Sequence, residues 1–153
     1  MGIDARIEEL GLELPPAPAP GGTYSPVVKI GNIAYISGQG PLLPDGTTIK
    51  GRVGSEVDAE YGRNAARQVG LTMLATFKHH LGSLDCVERF VKVLGMVNAA
   101  PDFERHPWVI NGFSDLMVEV FGENGKGARS AVGMGSLPRN ISVEIEAIIQ
   151  LKD

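Results

Sequence analysis

The sequence predicts one small α/β domain, because helix-like and strand-like periodicities alternate along its 153 residues. That length fits a single domain, since dividing it would leave pieces too small to bury good cores. Hydrophobic residues make up 43% of the chain and charged residues 21%, an ordinary balance for a globular protein. We expect residues 1–21 to form a helix and a proline-rich tether, and residues 22–153 to form the domain.

The first fifty residues predict a short helix, a tether and a β-hairpin. Residues 3–11 carry apolar side chains on one helical face, and the proline-rich stretch 14–22 can form neither a helix nor a strand ladder. Two β-rich runs follow at 27–30 and 33–37, and the Gly-Asn pair between them is typical of a tight hairpin turn. A turn-rich segment then leads to a short edge strand predicted at 47–50.

Two longer helices are predicted from apolar residues spaced three and four apart. Ser55 followed by Asp58 resembles a capping box, so we expect the first helix to open there and to run to about residue 81, where Gly82 ends it. The second helix is expected to begin near Pro107, a residue that the first turn of a helix accepts. Helices therefore alternate with strands, in the order ββ(β)αβαββ.

The strand predicted at 86–97 is apolar on both of its faces. Its three valines, at positions 91, 93 and 97, are expected on one face, and the other is expected to carry Phe90, Leu94 and Met96. A single layer of helices covers only one face of a sheet, so the second face must lose contact with water in another way. This pattern favours oligomerisation.

The last two strands are predicted at 128–132 and 141–151. In the final strand the odd-numbered residues are apolar and are expected to point toward the helices. The opposite face carries Ser142, Glu144, Glu146, Ile148 and Gln150. The simplest interpretation of two carboxylates on that face is an ordinary solvated surface.

Charge and composition exclude several classes of function. The net charge of −4 and the scattered basic residues argue against nucleic acid as a partner. The single cysteine, Cys86, cannot close an intrachain disulfide, and we see neither a signal peptide nor an apolar run of the roughly 20 residues that span a bilayer. We therefore expect a cytoplasmic protein without a membrane partner. With one cysteine and no i, i+4 histidine pair, we expect no metal site, and no motif implies a cofactor.

Three segments taken together resemble the Rid (reactive intermediate deaminase) family, also called YjgF-type and often labelled endoribonuclease L-PSP-like. Tyr24-Ser25-Pro26 leads through the hairpin into Ser37-Gly38-Gln39-Gly40-Pro41, and Asn111 lies in the second long helix. The pattern ARS-x-V-x₄-LP-x₄-VEIEA, which starts at Ala128, is the most specific part. The resemblance covers about residues 22–151, and the N-terminal extension marks a divergent branch.

The resemblance implies a chorismate-mutase-like fold: a mixed β-sheet with two helices packed on one face. It also implies a homotrimer in which three sheets form a central barrel, with ligand pockets in the clefts between subunits. Such an assembly would bury the second face of the strand at 86–97.

The activity that the resemblance implies is hydrolysis of 2-imino acids to 2-oxo acids and ammonia, with no cofactor. Arg129 matches the arginine that holds the substrate carboxylate, a task suited to a planar guanidinium with two parallel donors. Without the surrounding motif, a surface or ion-paired arginine would be the simpler interpretation. Glu144 matches an acidic residue beside the pocket, where it could orient or deprotonate the attacking water.

Further substrate-binding positions follow from the same resemblance. Tyr24 matches a tyrosine at the pocket mouth, Ser37 and Gly38 match the pocket floor, and Asn111 is expected to brace the site. Ala131 stands where many relatives carry cysteine, so any thiol contribution is absent. A non-catalytic protein that senses small carboxylates through Arg129 is the alternative function, and a ribonuclease is the weakest, given the acidic charge.

Overall fold

The computed structural model of the protein describes residues 1–153 and contains a five-stranded sheet, three α-helices and three short 3-10 helices. The α-helices are α1 (Ile3–Glu9), α2 (Ala59–Leu81) and α3 (His106–Phe121). The strands are β1 (Val27–Ile30), β2 (Ile33–Gln39), β3 (Val87–Asn98), β4 (Ala128–Met134) and β5 (Val143–Leu151). The 3-10 helices span Leu84–Cys86, Gly122–Gly125 and Pro138–Asn140.

The sheet is mixed and has the strand order β1-β2-β5-β3-β4. Only β3 and β4 run parallel, and α3 makes the crossover between them that a parallel pair requires. The other three pairs are antiparallel. Strand β4 is the last strand in this order, so it lies at one edge of the sheet. Helix α3 precedes it in the chain.

Helices α2 and α3 pack together on one face of the sheet, as the family resemblance implies. The core between the two layers is apolar and aromatic, and its largest fully buried side chains include Phe77, Phe90, Phe113, Met73, Leu74 and Ile110. The two helices approach closely at Gly112, where an added Cβ would lie 3.0 Å from the carbonyl carbon of Arg63. No helix of the structure combines the length and the apolar character needed to cross a membrane.

The start of α2 differs from the prediction. Asp58 caps the helix, because its Oδ1 accepts a hydrogen bond from the backbone N–H of Tyr61 at 2.8 Å. The prediction that Ser55 opens the helix is wrong: Ser55 lies in a preceding turn, where its N–H donates to the carbonyl of Arg52. The predicted end is confirmed, since Gly82 terminates α2 with a φ of +86°.

The edge strand predicted at 47–50 is absent. Two isolated bridges take its place, one joining Thr48 to Leu42 and the other joining Lys50 to Ile141. Because the two bridges lead to different partners, no continuous ladder can form. Gly51 then turns the chain with a φ of +128°.

The faces of β3 also differ from the prediction at its start. The pairing of β3 with β5 shifts register between Phe90 and Lys92, which is a β-bulge. The bulge reverses the alternation of side chains, so Phe90 is buried in the core together with Val93, whereas Val91 is 39% exposed. The assignment of Val91 to the face of the other two valines was therefore wrong.

The sheet face opposite the helices is uncovered in the single chain and is partly apolar. Tyr35 is 47% exposed there, and Leu94 and Met96 are half-buried. Val28 of β1, which pairs with Tyr35, is 49% exposed on the same face. We call the sheet face opposite the helices the open face.

The N-terminal segment packs on the helical layer. Ile7 of α1 is buried in the core, and the Nε of Arg6 donates to the backbone carbonyl of Glu119 on α3 at 3.1 Å. The start of the proline-rich tether lies against α2, where Leu14 and Pro15 line a shallow pocket together with Ala75 and Lys78. Leu12 and Leu14 also pack against the core from outside.

Candidate active site

Arg129 lies on edge strand β4 and points toward the helices. It pairs in register with Val93, whose side chain is in the core, and its Nη1 donates to Oδ1 of Asn111 at 2.8 Å and to Oγ of Ser114 at 3.1 Å. Both acceptors belong to α3, so one helix face fixes the guanidinium. Asn111 therefore contacts Arg129 directly, and its role in a ligand pocket stays a prediction.

The guanidinium of Arg129 keeps unused donors. It takes part in none of the ion pairs of the chain, and its Nε and Nη2 donate to no atom of the protein. A guanidinium has five N–H donors in a planar fork, so the Nε–Nη2 edge remains available for two parallel bonds. The side chain is only half-buried, and that edge can therefore be reached by a small anion.

Ala131 lies two residues further along β4, on the same side of the strand as Arg129. It pairs with Gly95 of β3 and packs against the edge of the core. A small side chain at this point leaves room beside the guanidinium. We call Arg129, Asn111, Ser114 and Ala131 the basic half-site.

Glu144 lies on β5 and points to the open face, whereas its chain neighbours Val143 and Ile145 point into the core. It is half-buried and makes no hydrogen bond to another side chain. Burial and, secondarily, the negative charge of Glu146 raise the pKa of Glu144 above its usual value of 4.5. A carboxylate in this condition is a stronger base than a solvated one.

Gly38 provides the space that the Glu144 carboxylate occupies. A Cβ added at Gly38 would lie 3.0 Å from Cδ of Glu144 and 3.3 Å from its Cγ. The pairing of β2 with β5 shifts register between Ile36 and Gln39, and this bulge holds Ser37 and Gly38. The carboxylate therefore rests against bare backbone at a bend in the strand.

Ser37 lies in the same bulge as Gly38, and Tyr24 immediately precedes Ser25, which Ser37 contacts. The Oγ of Ser37 donates to the carbonyl of Ser25 at 2.7 Å, which ties the start of β1 to the bulge in β2. The side chain of Tyr24 is 50% exposed, and its hydroxyl oxygen accepts a hydrogen bond from the backbone N–H of Gly21 at 3.1 Å. We call Tyr24, Ser37, Gly38 and Glu144 the acidic half-site.

The two half-sites lie on opposite faces of the same sheet. Arg129 faces α3, whereas Glu144 faces away from the helices, so a single chain does not bring the two groups together. Of the predicted site residues, Asn111 and Ala131 lie with Arg129 on the helical side of the sheet. Ser37 and Gly38 lie with Glu144 at the bulge in β2.

A cavity of about 360 Å³ opens on the open face beside the acidic half-site. Its lining is mainly apolar, with two opposite charges, and consists of Val28, Tyr35, Ile36, Ser37, Lys92, Leu94, Glu146, Ala147 and Ile148. The cavity shares Ser37 with the acidic half-site.

Ser114 is the one residue of the basic half-site that sequence reasoning missed. It stands three residues after Asn111, so the two polar side chains share one face of an otherwise apolar helix. That i, i+3 pair is the signal that could have identified it.

Comparisons with known proteins agree with this architecture. The family model described as "YjgF/chorismate_mutase-like, putative endoribonuclease" matches residues 4–149. The chain is 38% identical over 152 residues to Protein TCP17 of Trypanosoma cruzi, covering 99% of this chain and 95% of that protein. It is 31% identical over 142 residues to the 2-iminobutanoate/2-iminopropanoate deaminase of Dermatophagoides farinae, covering 92% and 95%.

Among solved structures, a protein of unknown function from Agrobacterium tumefaciens has 41% sequence identity and a TM-score of 0.88, covering 98% of this chain and 94% of that one. RidA from a Psychrobacter species has 31% sequence identity and a TM-score of 0.61, covering 88% of this chain and 93% of that one. The chain therefore belongs to the YjgF/RutC/Rid family.

Proposed function

We propose that the protein hydrolyses 2-imino acids to 2-oxo acids and ammonia, at sites built from the basic half-site of one subunit and the acidic half-site of its neighbour in a homotrimer. The observation that carries this proposal is the unused Nε–Nη2 edge of Arg129, held in place by Asn111 and Ser114. The deaminase name of a relative with 31% identity supports the reaction class.

Arg129 binds the substrate carboxylate through two parallel hydrogen bonds. Charge-assisted pairs of this kind are worth roughly 1.5–3 kcal/mol per hydrogen bond, and two of them fix the direction of the attached carbon. The 2-imino carbon, one bond from the carboxylate, then lies over the small side chain of Ala131. Binding thus presents the reacting carbon to the neighbouring subunit.

Glu144 of the neighbouring subunit activates the attacking water. The water oxygen forms a bond to the iminium carbon while Glu144 accepts a proton, and the C=N double bond becomes a C–N single bond in the carbinolamine. The carboxyl group then returns the proton to the nitrogen. As the C–N bond breaks and ammonia leaves, the Glu144 carboxylate accepts the proton of the hydroxyl group and the C=O bond of the 2-oxo acid forms. The raised pKa of Glu144 supports both halves of this exchange.

The open face supports the trimer. Soluble monomers seldom leave a contiguous apolar surface of this kind uncovered, and here it includes Tyr35, Leu94 and Ile148 beside a cavity. Contact with the same face of two further copies would cover this surface. The same contact would carry each Glu144 toward the boundary with another subunit.

Coupling the purified protein to an amino acid oxidase or dehydratase tests the proposal, with release of the 2-oxo acid as the measurement. We expect the wild-type protein to accelerate release, and Arg129→Ala to abolish the acceleration while the oligomer persists. Arg67→Ala is the matched control, since Arg67 pairs with Glu119 on the helical surface. Binding of 2-oxo acids without any acceleration would overturn the deaminase and favour a carboxylate sensor.

A further inference from the structure

Arg139 is an exposed arginine whose side chain has no partner within the chain. Its guanidinium takes part in none of the ion pairs and in no hydrogen bond. The backbone of Arg139 has a φ of +55°, and that of Asn140, the next residue, has a φ of +58°. Residues with side chains rarely adopt this left-handed conformation, and arginine does so less often than asparagine. Such a conformation persists only where the surrounding contacts enforce it, and it is most frequent at functional sites.

Buried and half-buried polar groups enforce the turn at Arg139. Asn98 is fully buried, and its Nδ2 donates to Oδ1 of Asn140 at 2.9 Å and to the carbonyl of Ile141 at 3.1 Å. The Nδ2 of Asn140 in turn donates to Oε1 of Glu56 at 3.3 Å. The backbone that carries the guanidinium of Arg139 is therefore fixed in place.

The guanidinium of Arg139 lies beside a small notch at Gly21. A Cβ added at Gly21 would lie 3.9 Å from Nη2 of Arg139 and 4.0 Å from the hydroxyl oxygen of Tyr24, and no atom outside its own stretch of chain would lie closer. The Tyr24 oxygen already accepts a hydrogen bond from the backbone N–H of Gly21, so its own O–H is free to donate. We call the space between Gly21, Tyr24 and Arg139 the Gly21 notch.

The Gly21 notch is bordered by two hydrogen-bond donors and by no carboxylate. A carboxylate has two oxygens, and each can accept a hydrogen bond, with a length of about 2.8 Å where the donor is a guanidinium. Because both donors lie within 4.0 Å of one point, a single carboxylate in the notch is within reach of Arg139 and Tyr24. The notch adjoins the acidic half-site, since Tyr24 belongs to both.

We propose that the Gly21 notch is a second anion-binding site, which takes up the carboxylate of incoming 2-imino acids at the edge of the acidic half-site. Arg139 supplies the positive charge, and Tyr24 supplies a neutral donor. The chain has a net charge of −4, so an unpaired cation beside the half-site raises the local concentration of an anionic substrate. The inference rests on the proposed function for the identity of the substrate, whereas anion binding in the notch is independent of catalysis.

Two-dimensional amide NMR spectra of the isotope-labelled Arg129→Ala protein, titrated with pyruvate, test the site in the absence of the other carboxylate-binding arginine. The backbone amide of Gly21 is the reporter, because it donates to the hydroxyl oxygen of Tyr24. We expect a saturable shift of this signal, and we expect the additional change Arg139→Gln to remove it. Arg67→Gln removes the same charge from the helical surface, where Arg67 pairs with Glu119, and should leave the shift intact.

Steady-state kinetics at low and high salt test the uptake of substrate. Arg139→Gln is expected to lower kcat/KM by about threefold to fivefold at about 0.01 M salt and to have little effect at about 1 M, because the Debye length falls from about 30 Å to about 3 Å. Gly21→Ala fills the notch without backbone strain, since the φ of Gly21 is not left-handed, and it should give the same fall at low salt. Gly22→Ala is the matched control, because its Cβ would make only ordinary contact with the ring of Tyr24, at 3.8 Å.

The two measurements separate the possible outcomes. A Gly21 signal that pyruvate does not move, or that moves equally in the Arg139→Gln protein, would overturn the anion site. An unchanged kcat/KM for Arg139→Gln at low salt would overturn its part in substrate uptake. If the wild-type protein did not accelerate release of the 2-oxo acid, the deaminase would be overturned, and a Gly21 shift that requires Arg139 would still support the anion site.

Discussion

The carboxylate of Glu144 rests against the backbone of Gly38, in a space that any side chain at position 38 would fill. The contact joins β5 to the bulge in β2, so two neighbouring strands determine the position of one carboxylate. The position of the proposed base therefore depends on a residue that has no functional group.

Replacing Gly38 with alanine should displace the carboxylate without removing it. The new Cβ would lie 3.0 Å from Cδ of Glu144, closer than ordinary van der Waals contact, so the side chain must move. We expect kcat to fall by roughly tenfold or more, since about 1 Å of displacement of a catalytic group can have a large effect on rate. Binding of a 2-oxo acid at Arg129 should change little.

Gly135→Ala is the matched control for this variant. A Cβ at Gly135 meets nothing within 4 Å, so the same chemical change there should leave kcat unaltered. Equal kinetics for Gly38→Ala and the wild-type protein would contradict the assigned role of the contact.

Glu144→Gln should stabilise the fold at neutral pH. A carboxyl group whose pKa is raised on folding binds protons more tightly in the folded state, so its stabilising contribution is complete below the unfolded pKa and is lost as pH rises through the folded pKa. Glutamine has no such loss. We expect a higher Tm for the variant at pH 7 and no difference from the wild-type protein well below pH 4.5.

Thermal unfolding across this pH range measures the effect, and the variant should lose deaminase activity throughout. If the wild-type protein had the higher Tm at neutral pH, the ionised carboxylate of Glu144 would stabilise the folded state, and the prediction would be wrong.

Glu146→Gln should shift the pH dependence of the reaction. The negative charge of Glu146 contributes to the raised pKa of Glu144, and its removal should lower that pKa. If ionised Glu144 is the base, the acid limb of the kcat/KM profile should move to lower pH, while activity on the plateau persists. An unmoved acid limb would assign that limb to a different group.

Asn111→Asp should weaken ligand binding by supplying an internal anion. The new carboxylate would stand about where Oδ1 of Asn111 now accepts from Nη1 of Arg129, at 2.8 Å, and would neutralise the guanidinium. We expect the Kd for 2-oxo acids to rise by tenfold or more, the effect of losing a charge-assisted bond of roughly 1.5–3 kcal/mol. Asn111→Ala removes the hydrogen bond to Arg129 but leaves the positive charge of the guanidinium free to bind the ligand. Its effect on the Kd should therefore be smaller.

Much of the fold follows from local patterns in the sequence. The hairpin, the two long helices and the strands could be predicted because each carries its own periodicity and its own end signals, such as Gly82 after α2. The start of α2 could not be settled in the same way, because Ser55 and Asp58 are both acceptable caps and only the tertiary turn at Arg52 decides between them.

Features that depend on pairing between distant segments could not be predicted from local patterns. The bulge at Phe90–Lys92 is a property of the register between β3 and β5, and no residue in the sequence marks it. The opposite orientation of Arg129 and Glu144 likewise follows from register, because Arg129 pairs with the buried Val93 whereas Glu144 pairs with Met96 on the open face. The resemblance identified both residues, and only the fold shows that they face apart.

Co-assembly of two inactive variants tests most directly whether one active site needs two subunits. Subunits carrying Arg129→Ala and subunits carrying Glu144→Gln are unfolded together, refolded as an equal mixture, and assayed for 2-oxo acid release. In randomly mixed trimers about a quarter of the interfaces pair an intact Arg129 with an intact Glu144, so activity should return to about a quarter of the wild-type value. Mixed trimers that remain as inactive as either variant alone would contradict the account.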